Sequence, residues 1–199
     1  MESTFWDDRY NEPGFAYGKE ANDFLKSVTN QFKPNSKILC IAEGEGRNAL
    51  YLAQLGHQVT ALDFSLVGLT KLLEESSLQN LSMYTIHADL NEYELEKETW
   101  DVIVCIFGHF PLPVKQKVFN SIHQSLVKDG IIVMEVYSVD QLKYNTGGPQ
   151  SSSLLYTKEE LSSYFNEFSN IRINKTTRHI SEGKYHNGES STIQIIGIK

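Results

Sequence analysis

Short apolar runs rich in β-branched residues alternate along the chain with stretches whose apolar residues recur at helical spacing, from Lys37 almost to the C-terminus. That rhythm predicts an α/β protein, a parallel sheet between two layers of helices. Strands are expected at Lys37 to Ala42, Gln58 to Asp63, Ser82 to His87, Asp101 to Phe107 and Gly130 to Tyr137, each near-continuously hydrophobic, as strands covered on both faces are. Crossover helices are expected at Arg47 to Leu55, Leu66 to Leu73 and Val114 to Val127, the last following two prolines and ending before Gly130. Five strands so spaced make the two mononucleotide-binding halves of a doubly wound sheet.

Outside this core the pattern changes. Thr157 with Glu160 reads as a capping box opening a helix through Leu161, Tyr164 and Phe165, behind a Gly-, Pro- and Ser-rich linker from Asn145 to Ser153. Asn170 to His179 and Ser191 to Ile198 alternate polar with apolar or β-branched residues around the hydrophilic segment SEGKYHNGE, which predicts a closing antiparallel hairpin. At the other end, Phe5 to Tyr17 sets five aromatics among charges with no clean period, followed by a short helix from about Lys19 to Val28. The expected organisation is a single domain over 1–199: an aromatic segment and helix (1–30), a ligand-binding core (37–137), and a substrate-side segment with the closing hairpin (138–199).

Length and charge narrow the possibilities. The 199 residues leave room for one domain at about 150 residues each. Eighteen basic against 25 acidic side chains give a net charge of −7, a field that repels phosphate backbones and anionic lipids, so neither nucleic acid nor membrane is an expected partner. The opening MESTFWDDRY has no cationic start or apolar core, and no later run is apolar enough for a bilayer crossing, which reads as a cytoplasmic protein. Cys40 and Cys105 each lie inside an apolar run and read as inert core; with no clustered histidines they fail every zinc spacing, so no metal is expected. The expectation is a small-molecule protein, a monomer or weak homodimer.

The most informative stretch is ILCIAEGEGRNALYLAQLGHQVTALDFS, where a strand enters Gly44-Glu45-Gly46, a helix follows, and a second strand ends at Asp63. Glycines there let the backbone approach a ligand, and a strand-tip aspartate can accept hydrogen bonds from a ribose diol. Gly44, Gly46 and Ala49 also satisfy a relaxed GxGxxA fingerprint, which keeps an NAD(P)-dependent oxidoreductase as an alternative. Local charge argues against it: Glu43 and Glu45 would repel a pyrophosphate at the helix N-terminus, whereas S-adenosylmethionine carries a sulfonium and an ammonium and no phosphate. A module that binds this donor without turnover is a further alternative.

The same stretch resembles the nucleotide-binding half of class I S-adenosylmethionine-dependent methyltransferases, particularly the tellurite-resistance and thiol methyltransferase-like group. FWDDRY, Tyr17-Gly18, HADL ending at Leu90, WDVIVCIFGHF and EVYSVDQLKYNTGGP extend the resemblance over nearly the whole chain. It implies a Rossmann-like seven-stranded fold, S-adenosyl-L-methionine as cofactor, S-adenosyl-L-homocysteine as product, and in-line methyl transfer to a small acceptor, a thiol or a chalcogen oxyanion such as tellurite or selenite. Cys40 stands where many members are acidic, and Ala42 and Glu43 replace the usual glycine and small residue, so Glu43 is expected to hold the methionine ammonium from a shifted position. Asp63 would bind the ribose, Phe64 would pack on adenine, and Asp89 with Ala88 and Leu90 would meet the adenine amino group. Arg47, beside Asn48, either pairs with the cofactor carboxylate or shields Glu43 from Glu45. Phe107 and Gly108 would line the reactive end. His109 and Tyr137 are the candidate bases and substrate contacts, and Glu135 and Gly147-Gly148-Pro149 would shape the acceptor pocket. Phe5, Trp6, Tyr10 and Tyr17 would form a lid over the sulfonium or a staple for the first helix.

Overall fold

The computed structural model describes residues 3–199. Its strands are β1 (Lys37–Ile41), β2 (Gln58–Asp63), β3 (Tyr84–His87), β4 (Trp100–Ile106), β5 (Leu126–Tyr137), β6 (Ser169–Glu182) and β7 (His186–Ile198), in one seven-stranded sheet of order β3-β2-β1-β4-β5-β7-β6. The first five are parallel, and β7 runs antiparallel between β5 and β6. The helices are α1 (Ser3–Tyr10), α2 (Asp23–Val28), α3 (Arg47–Gln54), α4 (Leu66–Leu78), α5 (Leu112–Ser125) and α6 (Lys158–Tyr164). The doubly wound sheet with a closing hairpin is the architecture expected from the sequence.

Burial explains the strand assignments. Central β1 and β4 are buried on both faces, as their unbroken apolar runs require, while edge strand β3 is only half covered. One core lies on the side of α5 and α6, around Phe119, Phe165 and Tyr156. The other lies on the side of α2, α3 and α4, around Leu25, Leu52 and Leu72. Caps set the helix starts: Asn22, Ser65 and Thr157 accept the amides of Leu25, Gly68 and Glu160.

Several boundaries differ from expectation, and the reasons are local. The aperiodic aromatic segment contains a helix, α1, held by tertiary contact with α4 rather than by an apolar stripe. Helix α5 stops at Ser125 and runs directly into β5; the register shift between Trp100 and Val102 is taken up around Asp129, at φ +62°. The largest difference is the hairpin. SEGKYHNGE is mostly strand, with Glu182 paired to His186 across residues 183–185, so the ladder continues through polar pairs that carry no apolar signal. Gly183, at φ +70°, lies against the backbone of Tyr17 and Gly18, where a Cβ would collide, and Lys184 N donates to Ala16 O at 3.0 Å. The hairpin tip is thereby sewn to the N-terminal segment.

Candidate active site

The sheet order reverses between β1 and β4, and a cavity of about 1020 Å³ opens at the carboxyl ends of the strands there. That is the upper end of ordinary ligand pockets.

One end is built from backbone amides and carboxylates. The N-terminus of α3 has no capping side chain at Gly46; Glu43 reaches forward instead, and its Oε1 accepts the amides of Asn48 (2.9 Å) and Ala49 (2.8 Å). Burial pushes the Glu43 carboxyl up to about 7, against the pull of those amides and of Arg47. Gly46 takes φ +87°, and a Cβ there would collide with Leu72. Asp63 Oδ2 accepts Gly44 N and Oδ1 accepts Ser65 N, both at 2.8 Å, and its carboxyl is raised, chiefly by burial. Glu45 is ion-paired to Lys71 at 2.6 Å and accepts Ala16 N. Phe64, Ala88, Asp89 and Leu90 line this end. Asp89 Oδ1 is engaged in its own turn by Asn91 N at 2.8 Å.

This geometry bears on the dinucleotide alternative. The α3 amides that would cradle a pyrophosphate are already taken by Glu43. A positively charged adenosyl ligand meets no such obstacle, with Asp63 at one strand tip and Asp89 beyond the next.

The opposite end is aromatic. Phe107, at φ +55°, stacks on Tyr137 at 4.6 Å and meets His186 edge-on at 4.7 Å; Tyr17 lies 4.5 Å from His186. Trp6 and Tyr10 reach back to the first end: they stack at 5.7 Å, and Tyr10 packs over Gly44. His109 Nδ1 lies 2.8 Å from the Leu154 carbonyl, a contact that needs the proton on Nδ1, and burial pushes the ring down to about 4. Its Nε2 is buried with no partner among the described residues, as is His186 Nδ1.

The remaining expected residues fall unevenly. Tyr137 is fully buried behind Phe107 and His109 and is not part of the cavity wall; its hydroxyl makes no hydrogen bond of good geometry among the described residues and lies 3.0 Å from where a Cβ on Gly147 would be, with Ser190 nearby. Arg47 lines the cavity, where its charge lowers the Glu43 carboxyl, and it pairs with Glu182 at 2.5 Å and donates to Glu20 O. Asn48 lines the cavity, but its side-chain oxygen accepts Asn22 N. Glu135 is outside the wall, where its carboxylate takes donors from Asn22, Arg178, Thr192 and Gln194. Sequence reasoning passed over Arg9, Glu182, Tyr185 and His186. An arginine among four aromatics and a Tyr-His pair inside a polar turn were the available signals; Glu182 gave none.

The seven-stranded sheet, its strand order and the position of the cleft are those of the methyltransferase fold. Residues 38–130 match the methyltransferase domain family. Its relatives include the probable S-adenosyl-L-methionine-dependent methyltransferase TehB of Haemophilus influenzae, 26% identical over 142 residues, 70% of this chain and 48% of that protein. The glycine/sarcosine N-methyltransferase of Aphanothece halophytica is 24% identical over 140 residues, 68% of this chain and 52% of that one. The chain spans about half the length of these curated relatives. The crystal structure of TehB from Haemophilus influenzae superposes with a TM-score of 0.74 at 19% identity, over 99% of this chain and 66% of that one. S-adenosylmethionine is the cofactor that the name of the TehB relative carries. Among the described residues no helix is long and apolar enough to cross a membrane, and no acidic, His or Cys cluster could hold a metal.

Proposed function

We propose that this chain methylates a small acceptor, a thiol or a chalcogen oxyanion such as tellurite or selenite. The observation that carries the reading is one cavity with ribose-competent carboxylates at one end and an unpartnered, buried imidazole nitrogen among aromatics at the other. The TehB name of one relative favours this acceptor class; the glycine/sarcosine enzyme makes an amine the second reading.

When bound, S-adenosylmethionine supplies an electrophilic methyl on a sulfonium. Each Asp63 oxygen spends one lone pair on an amide and keeps another for a ribose hydroxyl, and Asp89 keeps Oδ2 for the adenine amino group. Gly44 and Gly46 let the backbone approach, while Glu43 holds α3 in place and offers its second oxygen to the ammonium. Trp6, Tyr10, Tyr17 and Phe107 surround the cation with ring faces and exclude water. His109 is neutral at pH 7. With Nδ1–H committed to Leu154, its Nε2 lone pair can take the proton of an S–H or O–H acceptor as it attacks. Alignment carries most of the rate for a preformed soft anion, which needs no base. The chain acts in this reading as one domain, a monomer or weak homodimer in the cytoplasm.

Calorimetric titration with S-adenosylhomocysteine, followed by a methyl-transfer screen over thiols, tellurite, selenite, glycine and sarcosine, tests the proposal. Heat on titration and turnover of a thiol or oxyanion are expected. A protein that gives no heat, or methylates only the amines, overturns it. His109→Gln should slow protonated acceptors by about 10² or more and leave preformed anions nearly unaffected.

A further inference from the structure

Among the described residues, the cations around the cavity are paired with carboxylates, with one exception. Glu45 is paired with Lys71, Arg47 with Glu182, and Glu12, just outside, with Lys184 at 2.6 Å and the Tyr185 hydroxyl at 2.5 Å. Arg9 lines the same cavity and pairs with no carboxylate among the described residues. Its guanidinium lies 4.2 Å from the centre of the Tyr185 ring and 4.7 Å from that of Phe5, and one nitrogen donates to the Tyr17 hydroxyl at 2.9 Å. Stacking against rings engages a guanidinium's faces and leaves its in-plane N–H donors for acceptors. Five such donors exist, and Tyr17 takes one. In a chain of net charge −7, this is a locally positive, half-buried and aromatic-walled corner.

We propose that Arg9 is a specificity-determining residue: it forms an oxyanion subsite at the acceptor end, so that the preferred acceptor carries a carboxylate or is itself an inorganic oxyanion. This rests on the methyltransferase reading for the role of the ligand, but not for the existence of the subsite. Tyr17 lies against His186 and His186 against Phe107, so the rings that hold Arg9 run on into the aromatic wall of the same cavity that His109 lines. Because the rings fix the guanidinium, lysine should replace it only in part.

The test compares 3-mercaptopropionate with its neutral match 3-mercapto-1-propanol, and adds selenite, by calorimetry on the full chain with and without S-adenosylhomocysteine. Wild type should bind the acid about 10- to 100-fold more tightly than the alcohol. Arg9→Gln should bring that ratio to about one, and Arg9→Lys should retain part of it. Selenite binding that vanishes in Arg9→Gln would identify the inorganic oxyanion as a ligand of the same corner. A ratio of one in wild type, or a ratio that survives in Arg9→Gln, overturns the proposal. Absence of heat with S-adenosylhomocysteine would instead overturn the methyl-donor reading, while the acid-to-alcohol ratio still decides the fate of Arg9.

Discussion

The two ends of the cavity are built on opposite plans. At the donor end nearly every side chain is tied to a backbone amide: Glu43 to Asn48 and Ala49, Asp63 to Gly44 and Ser65, Asp89 to Asn91. At the acceptor end polar atoms are left over: His109 Nε2, His186 Nδ1 and the free donors of Arg9. On the proposed function, the difference is that one end recognises a fixed molecule through main-chain geometry set by short sequence spacing. The other keeps unsatisfied groups that only a ligand completes.

The strongest way to break that contrast is at the seam between the halves. Glu135→Ala leaves Arg178, Asn22, Thr192 and Gln194 without their shared acceptor and should cost about 3 to 5 kcal/mol, read as a lower urea midpoint. Gly46→Ala attacks the donor end alone. A left-handed φ and a clash with Leu72 should together cost about 2 to 5 kcal/mol and remove S-adenosylhomocysteine binding, which calorimetry on whatever folds would show.

Acidity separates the ends in the opposite sense. Glu43 is raised from an ordinary 4.5 to about 7, so its contribution to stability is full below about 4.5 and is lost as pH rises through 7. His109 is lowered from 6.5 to about 4, so its contribution is full above about 6.5 and is lost as pH falls through 4. Each is worth up to about 3 kcal/mol. Urea titrations across this range should show Glu43→Gln flattening the neutral limb and His109→Gln the acid limb; a single variant flattening both would unite what the structure separates. The smallest effect sharpens the acceptor end. Tyr137→Phe removes a buried hydroxyl that makes no hydrogen bond of good geometry among the described residues and lies outside the cavity wall, and should change stability by less than about 1 kcal/mol and leave turnover intact. A large loss of turnover would return Tyr137 to the chemistry.

The same contrast governs what could be read from the chain. The proposed donor end sits within one contiguous stretch, Ile38 to Asp63, and in the loop after β3, so glycine spacing and strand-tip aspartates marked these residues as neighbours before the fold was known. Even there, the partners of Glu45 and Arg47 were invisible, because Lys71 and Glu182 lie 26 and 135 residues away. The acceptor end gathers Arg9 and Tyr17, Phe107 and His109, Leu154, and Tyr185 with His186 from four distant segments, and no local period encodes such a meeting. SEGKYHNGE looked like a turn because ladder pairing of polar residues leaves no hydrophobic alternation to detect. The place of Tyr137 behind the wall was hidden for a related reason: strand alternation says which face a residue takes, not how much packing stands between it and the cleft.

The stitch between the hairpin tip and residues 16–18 has a consequence for biosynthesis. During translation the donor pocket can assemble once the ribosome has passed β5, whereas the acceptor wall must wait for Tyr185 and His186 and then close back onto a segment made more than 160 residues earlier. A nascent chain halted shortly before that point would hold an adenosyl-shaped cleft with nothing to present to it.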